Sequence, residues 1–351
     1  MKDWESLDTL GQSEALINEL KGNLFEYLVA QELATRFHVL SQFYSSFAGE
    51  LKHRLGQYEL WLRDNDPLLM TQLPKLALKV VESIVDTIPV KKKIEGVFII
   101  GKTSANIDDH FKEADIVLTE GESQNDTDVI HPISIKLCKT NAFVNTKSGG
   151  IRSFLTKYFH LFDTIKEYQS VEKEQEKLNE LLDFSFERMG KELYDEMNLS
   201  FQGSFDQQWT SSHLPGQLPE NLNKIVLQHY YRMNEALHYS FQRLKALNDN
   251  IFQKCLQSLL GFGREDLIQV ICFHGPSKNV DRYDFKSVEI NHKNQEEALG
   301  FQFSSSDNSY KTKSSFELGN GKLSLQVRIK PMNVFTTKAL KVNCSIKSTK
   351  S

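Results

Sequence analysis

Residues 114–139, ADIVLTEGESQNDTDVIHPISIKLCK, decide how the rest of the chain is read. Two apolar runs, 115–119 and 133–138, have the length and residue types of buried strands, and the acidic segment between them is too long for a tight hairpin. The first run opens with Asp115, and the second carries Lys136 between Ile135 and Leu137. Side chains on one face of neighbouring strands stand side by side, so this carboxylate and ammonium can converge on one point. Burying either group without a partner or a task is costly. Two readings stay open: a plain cross-strand ion pair, or a site for a divalent metal and a phosphate.

Working outward, the order of elements is that of an α/β protein. Residues 12–37 read as a helix, with Ile17, Leu20, Leu24 and Leu28 at helical spacing. Glu26 interrupts it on a stripe with Gly22, Ala30 and Leu33, where a helix can lie close to a sheet. Helices are expected over 40–62 and 73–88, the latter ended by Pro89, then a strand over 97–100 closed by Gly101. After Lys136, the residues Lys139, Lys147 and Arg152 are spaced through Thr, Ser and Asn and a Gly149-Gly150 pair. Such a loop lets backbone approach a phosphate, and a helix starting near Ile151 would turn its N-terminus to the anion. The P-loop pattern is absent.

Residues 151–199 read as charged helix, with 171–182 (VEKEQEKLNELL) as an exposed or coiled-coil arm; 200–221 is a linker, and 222–260 a further helix. A strand at 267–273 returns to the earlier sheet, and 283–347 alternates in strand fashion around a turn at Asn320-Gly321. The expected organisation is an α/β core of residues 1–152 and 264–280, a helical insertion of 153–263, and a basic β-rich C-terminal region of 281–351.

With 40% hydrophobic and 25% charged residues the chain has an ordinary globular composition. It shows neither a signal-peptide pattern nor an apolar run of bilayer length, so a cytoplasmic protein with no membrane association is expected. The cysteines, Cys138, Cys255, Cys272 and Cys344, lie too far apart for a zinc-ligand spacing. Net charge is −4, yet from residue 311 onward nine basic residues face Glu317 alone. A basic surface on an acidic chain suggests a polyanionic partner, with a solvated face as the bland alternative.

The order of helix with Glu26 in GNLFEYLVAQEL, strand, strand with Asp115 in ADIVL, strand ISIK ending at Lys136, helix and strand resembles the PD-(D/E)XK nuclease superfamily. The resemblance covers residues 12–160 and 267–273. It implies a restriction-endonuclease-like mixed sheet flanked by helices, and a Mg²⁺-dependent DNA endonuclease of a restriction or phage-defence system. It implies that Asp115 and Glu26 hold the metal, while Lys136 acts on the attacking water or the phosphate. Two positions depart from the pattern: Ala114 replaces a proline, and Ser134 stands where the family carries an acid two before the lysine. Glu26 is the first candidate to compensate, with Asp126 and Asp128 behind it.

On this reading Lys139, Lys147 and Arg152 grip phosphates of double-stranded DNA, Lys330 and the basic tail extend the footprint, and Arg328 and Asn333 have side chains suited to base edges. Cutting both strands implies a homodimer. A non-catalytic nucleic-acid-binding subunit with a decayed site is the alternative that Ser134 motivates. A helical interaction protein with 171–199 as docking arm is a third.

Overall fold

A computed structural model of the chain describes residues 10–46, 49–88, 90, 93–100, 114–121, 129–164, 171–206, 209, 218–261, 267–280, 282–291, 299–304, 314–331 and 335–348. The chain divides into two units, Met1–Ala142 with Arg264–Lys293, and Phe143–Gly263 with Asn294–Ser351. Each is mixed helix and sheet.

The first unit begins with four helices: α1 (Leu10–Arg36), α2 (Leu40–Ser45), α3 (Gly49–Asn65) and α4 (Pro67–Thr87). Helix α4 starts where Asp66 accepts a hydrogen bond from the Leu69 amide, with Pro67 in the first turn, where its missing N–H costs nothing. The strands are β1 (Ile94–Ile99), β2 (Ile116–Glu120) and β3 (Val129–Lys139), then, beyond β4 (Val144–Gly150) of the second unit, β5 (Ile268–Gly275) and β6 (Asp284–Asn291). They form one sheet in the order β1-β2-β3-β5-β6, with β3 and β5 parallel and every other pair antiparallel.

Alternation along the strands sorts the residues onto two faces. Val97, Ile99, Ile116, Leu118, Ile133, Ile135 and Val270 join Leu24, Leu33, Val80 and Ile84 of α1 and α4 in one apolar core. Each such buried aliphatic side chain contributes roughly 1.5–3 kcal/mol. The opposite parity carries Ser134, Lys136, Gln269, Ile271, Glu289 and Asn291. Polar residues therefore accumulate on the face away from α1 and α4.

The second unit contains α5 (Phe154–Tyr158), α6 (Val171–Asp195), α7 (Glu220–Leu247) and α8 (Asp249–Leu259), with strands β7 (Gln302–Phe303), β8 (Ser315–Gly319), β9 (Leu323–Pro331) and β10 (Leu340–Ser348). Its antiparallel sheet runs β4-β10-β9-β8-β7. Leu325, Val327, Ile329, Val342 and Cys344 are buried, while Gln326, Arg328, Lys330, Lys341 and Asn343 alternate onto the other face. The β8–β9 turn lies at Asn320-Gly321, as its sequence predicts: Asn320 Oδ1 accepts from the amides of Lys322 and Leu323, and Gly321 has φ +84.

Several expectations are corrected. The helical insertion and the β-rich tail are one unit, because β4 pairs with β10 and ties the two segments into one sheet. Strand β6 pairs with β5 and belongs to the first unit, not the tail. The stretch 145–150, read as a phosphate-approaching loop, is strand, with Gly149 and Gly150 opposite Val342 and Lys341. Residues 171–195 are no exposed arm: Leu178, Leu182, Phe186, Met189 and Leu193 are buried, and α6 packs along α7. Its Gly190 accommodates the Phe201 ring, which an added Cβ would meet at 2.5 Å. The helix expected over 222–260 breaks at Asn248, whose side chain caps α8 by accepting from the Ile251 amide.

Candidate functional site

Asp115 sits at the point where β2 begins beside β3. Its backbone is already in the ladder, donating to the Ile133 carbonyl and accepting from the Ile100 amide. That fixes the direction of its carboxylate. Oδ2 accepts three hydrogen bonds from consecutive residues of β3: the Ser134 hydroxyl at 3.0 Å, the Ile135 amide at 2.6 Å and the Lys136 ammonium at 3.1 Å. Every one of these falls on Oδ2, and among the described residues no hydrogen bond falls on Oδ1. The Asp115 and Lys136 side chains retain 21% and 30% exposure, enough for solvent or a substrate to reach them.

The polar row continues across the sheet. Ser134 lies in register with Gln269, and Gln269 with Asn291. Asn291 donates to Gln269 Oε1 at 3.1 Å, while Gln269 Nε2 is buried without a hydrogen-bond partner. Lys136 shares a register line with Ile271 and Glu289. Sequence reasoning missed Gln269 and Glu289, although one polar residue inside the apolar run LIQVICF was the same signal that had singled out Lys136.

The other expected site residues are placed as follows. Glu26 is half-buried at the middle of α1, the helix packed on the face that Ile133 and Ile135 present. The structure thus brings Asp115 and Lys136 together with Ser134. Asp126 and Asp128 lie outside the described residues, as does Asn333. Among the described residues no group of three or more His, Cys, Asp or Glu is arranged to hold a metal ion.

Lys139 is exposed at the end of β3 in the first unit, whereas Lys147 and Arg152 belong to the second. Arg152 is engaged: its guanidinium lies 2.7 Å from Asp183, which Lys338 also approaches at 3.0 Å, and the two cations hold that carboxyl below its usual range. Arg328 is exposed on β9. Lys330 stands opposite Lys341, and its pKa is lowered by burial and then by the charges of Arg328 and Lys341. These three cations form a positive patch on one face of the second sheet.

No helix among the described residues is long and apolar enough to cross a membrane. All four cysteines are free thiols; burial pushes Cys138 up to about 11 and Cys272 to about 12. In comparisons with protein-family models and with curated proteins the chain finds no match.

Proposed function

We propose that the chain is a metal-dependent DNA endonuclease of the PD-(D/E)XK type, with Asp115 and Lys136 at its centre. One observation carries this reading: a carboxylate at the head of β2 and a lysine on β3 meet at 3.1 Å in a sheet where β1, β2 and β3 are antiparallel and β5 joins β3 in parallel. This mixed sheet supports the reading of a restriction-endonuclease-like core.

The available donors meet the lower limit for Mg²⁺, which is commonly held by one or two carboxylates with waters and substrate phosphates completing its shell. Asp115 Oδ1 would be the protein's carboxylate oxygen, and Glu26 the second ligand to be tested. When bound, the metal would supply Lewis acidity and a more acidic water. The chain's own residues do the rest. Ser134 and the Ile135 amide fix the Asp115 carboxylate in one orientation, so a ligand on Oδ1 meets a preorganised group. Lys136, held against that carboxylate, places positive charge where a phosphate gains negative charge. The patch of Arg328, Lys330 and Lys341 favours a polyanionic backbone and gives affinity without sequence choice.

Incubation with plasmid and phage DNA in Mg²⁺ or Mn²⁺ tests the proposal. Asp115→Ala and Lys136→Ala should each lower the cleavage rate by about two orders of magnitude or more. Cleavage that survives both substitutions, or a folded protein that cuts no DNA with either metal, removes it. A second reading, a DNA-binding subunit with a decayed site, draws on the absence of a carboxylate cluster among the described residues and on Ser134 in the acid's place. It requires metal-independent, salt-sensitive binding indifferent to Lys136→Ala.

A further inference from the structure

The first unit has a concavity whose lining does not include Asp115 or Lys136, and of its lining residues the nuclease reading uses Lys139 alone. It is a cavity of about 490 Å³ bounded by the N-terminal half of α1, the start of α4, and the C-terminal ends of the parallel strands β3 and β5. Crevices beyond the carboxyl ends of parallel strands are where open α/β sheets leave room for ligands.

Three cations line it, Lys21, Lys139 and Arg282, against one carboxylate, Asp66. Lys21 is only 8% exposed, and among the described residues its one hydrogen bond goes to the Asn18 side-chain oxygen at 3.1 Å. A buried ammonium with donors to spare is costly unless an anion comes to it. Asp66 offsets only part of that cost: its charge favours the Lys21 ammonium less than burial and then Lys139 disfavour it, and its oxygens already accept from the Leu69 amide at 3.3 Å and the Tyr283 hydroxyl at 2.6 Å.

His274 adds a second, independent demand. It is 1% exposed and faces Lys139 in the parallel register. Its Nδ1 lies 3.1 Å from the Arg282 carbonyl oxygen, which can only accept, so Nδ1 carries the proton. In the neutral ring Nε2 is then an acceptor, and among the described residues it has no hydrogen-bond partner. Burial, followed by the charges of Lys21 and Lys139, holds the imidazole below its usual pKa despite the Arg282 carbonyl.

A cation at Nε2 is disfavoured by the three positive side chains around it. A carboxylate or sulfate, without a proton near neutral pH, would satisfy the lysines and set a bare oxygen against the imidazole lone pair. A phosphomonoester satisfies both: its second pKa is about 6, so its anionic oxygens can meet the cations while its remaining hydroxyl donates to Nε2. The cavity lies in the range of small-molecule sites, roughly 300–1,000 Å³, so it has room for more than the phosphate group. Tyr283 and Ile17 provide the less polar wall. We propose that this cavity binds a phosphate group able to keep one hydroxyl near neutral pH, either free phosphate or the phosphomonoester of a nucleoside 5′-monophosphate. The proposal is independent of the nuclease reading.

The test is calorimetric titration of the full chain with inorganic phosphate and with adenosine 5′-monophosphate, using adenosine and sulfate as controls, at pH 6.5 and pH 8. Saturable one-to-one binding of a phosphate probe is expected, weakened about tenfold or more by Lys21→Met and by Arg282→Gln in variants whose thermal unfolding shows an intact fold. Equal affinity for the two phosphates identifies free phosphate as the ligand, and tighter binding of the monophosphate identifies the nucleotide. Affinity should fall by up to about tenfold per pH unit toward pH 8, because the complex needs one proton between the phosphate and His274. The charged and titratable groups facing that imidazole are Lys21 on α1, Asp66 at α4, Lys139 on β3, and Arg282 with Tyr283 ahead of β6. No binding at millimolar concentration, binding unchanged in both variants, or sulfate bound as tightly as phosphate at both pH values would overturn the proposal.

Discussion

A single carboxylate shows how much chemistry one position in a sheet can gather. Asp115 takes three donors from three successive residues because it stands at the head of β2, directly beside β3. The pair was legible in the sequence, since one acid and one lysine in otherwise apolar strands must be partnered or used. The hydroxyl of Ser134 was legible only as a missing acid, and its hydrogen bond to Asp115 needs coordinates. His229 makes a different point. It is buried between α6 and α7 with its Nδ1 2.8 Å from Ser185 Oγ, and burial, aided by the charge of Arg232, pushes its pKa down to about 4. The unfolded chain therefore takes up a proton near pH 6.5 that the folded chain refuses until about pH 4. Stability present above pH 6.5 should be lost on acidification through that window, by up to about 3 kcal/mol. Urea unfolding at pH 7 and pH 4.5 measures the loss, and His229→Gln should flatten that part of the pH dependence.

At the scale of elements, period and punctuation predicted what local sequence controls. Helix α1 and strands β2, β3 and β5 follow from apolar spacing, and the β8–β9 turn from Asn-Gly. Strand β4 did not follow, because Thr-Lys-Ser-Gly-Gly has little intrinsic preference for a strand and its partner β10 lies some 200 residues later. Only that long-range pairing makes it a strand. For the same reason α6 looked like an arm until Gly190 and Phe201 fixed its packing. The pairing of β9 with β10 also sets Arg328, Lys330 and Lys341 on a common face. If that face meets nucleic acid, the double substitution Arg328→Ala, Lys341→Ala should weaken DNA binding across unrelated sequences. The slope of log K against log salt should drop by about 2, near the counterion release of two phosphate contacts. Fluorescence anisotropy at several salt concentrations measures it, and an unchanged slope excludes this sheet from the interface.

The molecule as a whole has two cores, each with its own five-stranded sheet. Trp61 lies in the first unit and the buried Trp209 in the second, so each unit carries a described tryptophan as reporter. Equilibrium unfolding in urea should show two transitions, the one reported by Trp209 persisting in a Trp4→Phe, Trp61→Phe variant and the other by Trp61 in a Trp4→Phe, Trp209→Phe variant. A single coincident transition in both variants would mean that the cores unfold as one. Strand β5 reaches its place beside β3 only after the chain has left the first unit and built the helices α5 to α8. During synthesis, Asp115 and Lys136 emerge from the ribosome long before the neighbour that completes their sheet. A nascent chain stalled before residue 268 therefore carries the Asp115–Lys136 pair without β5 beside it, and any activity built on that pair would wait until the chain is nearly finished.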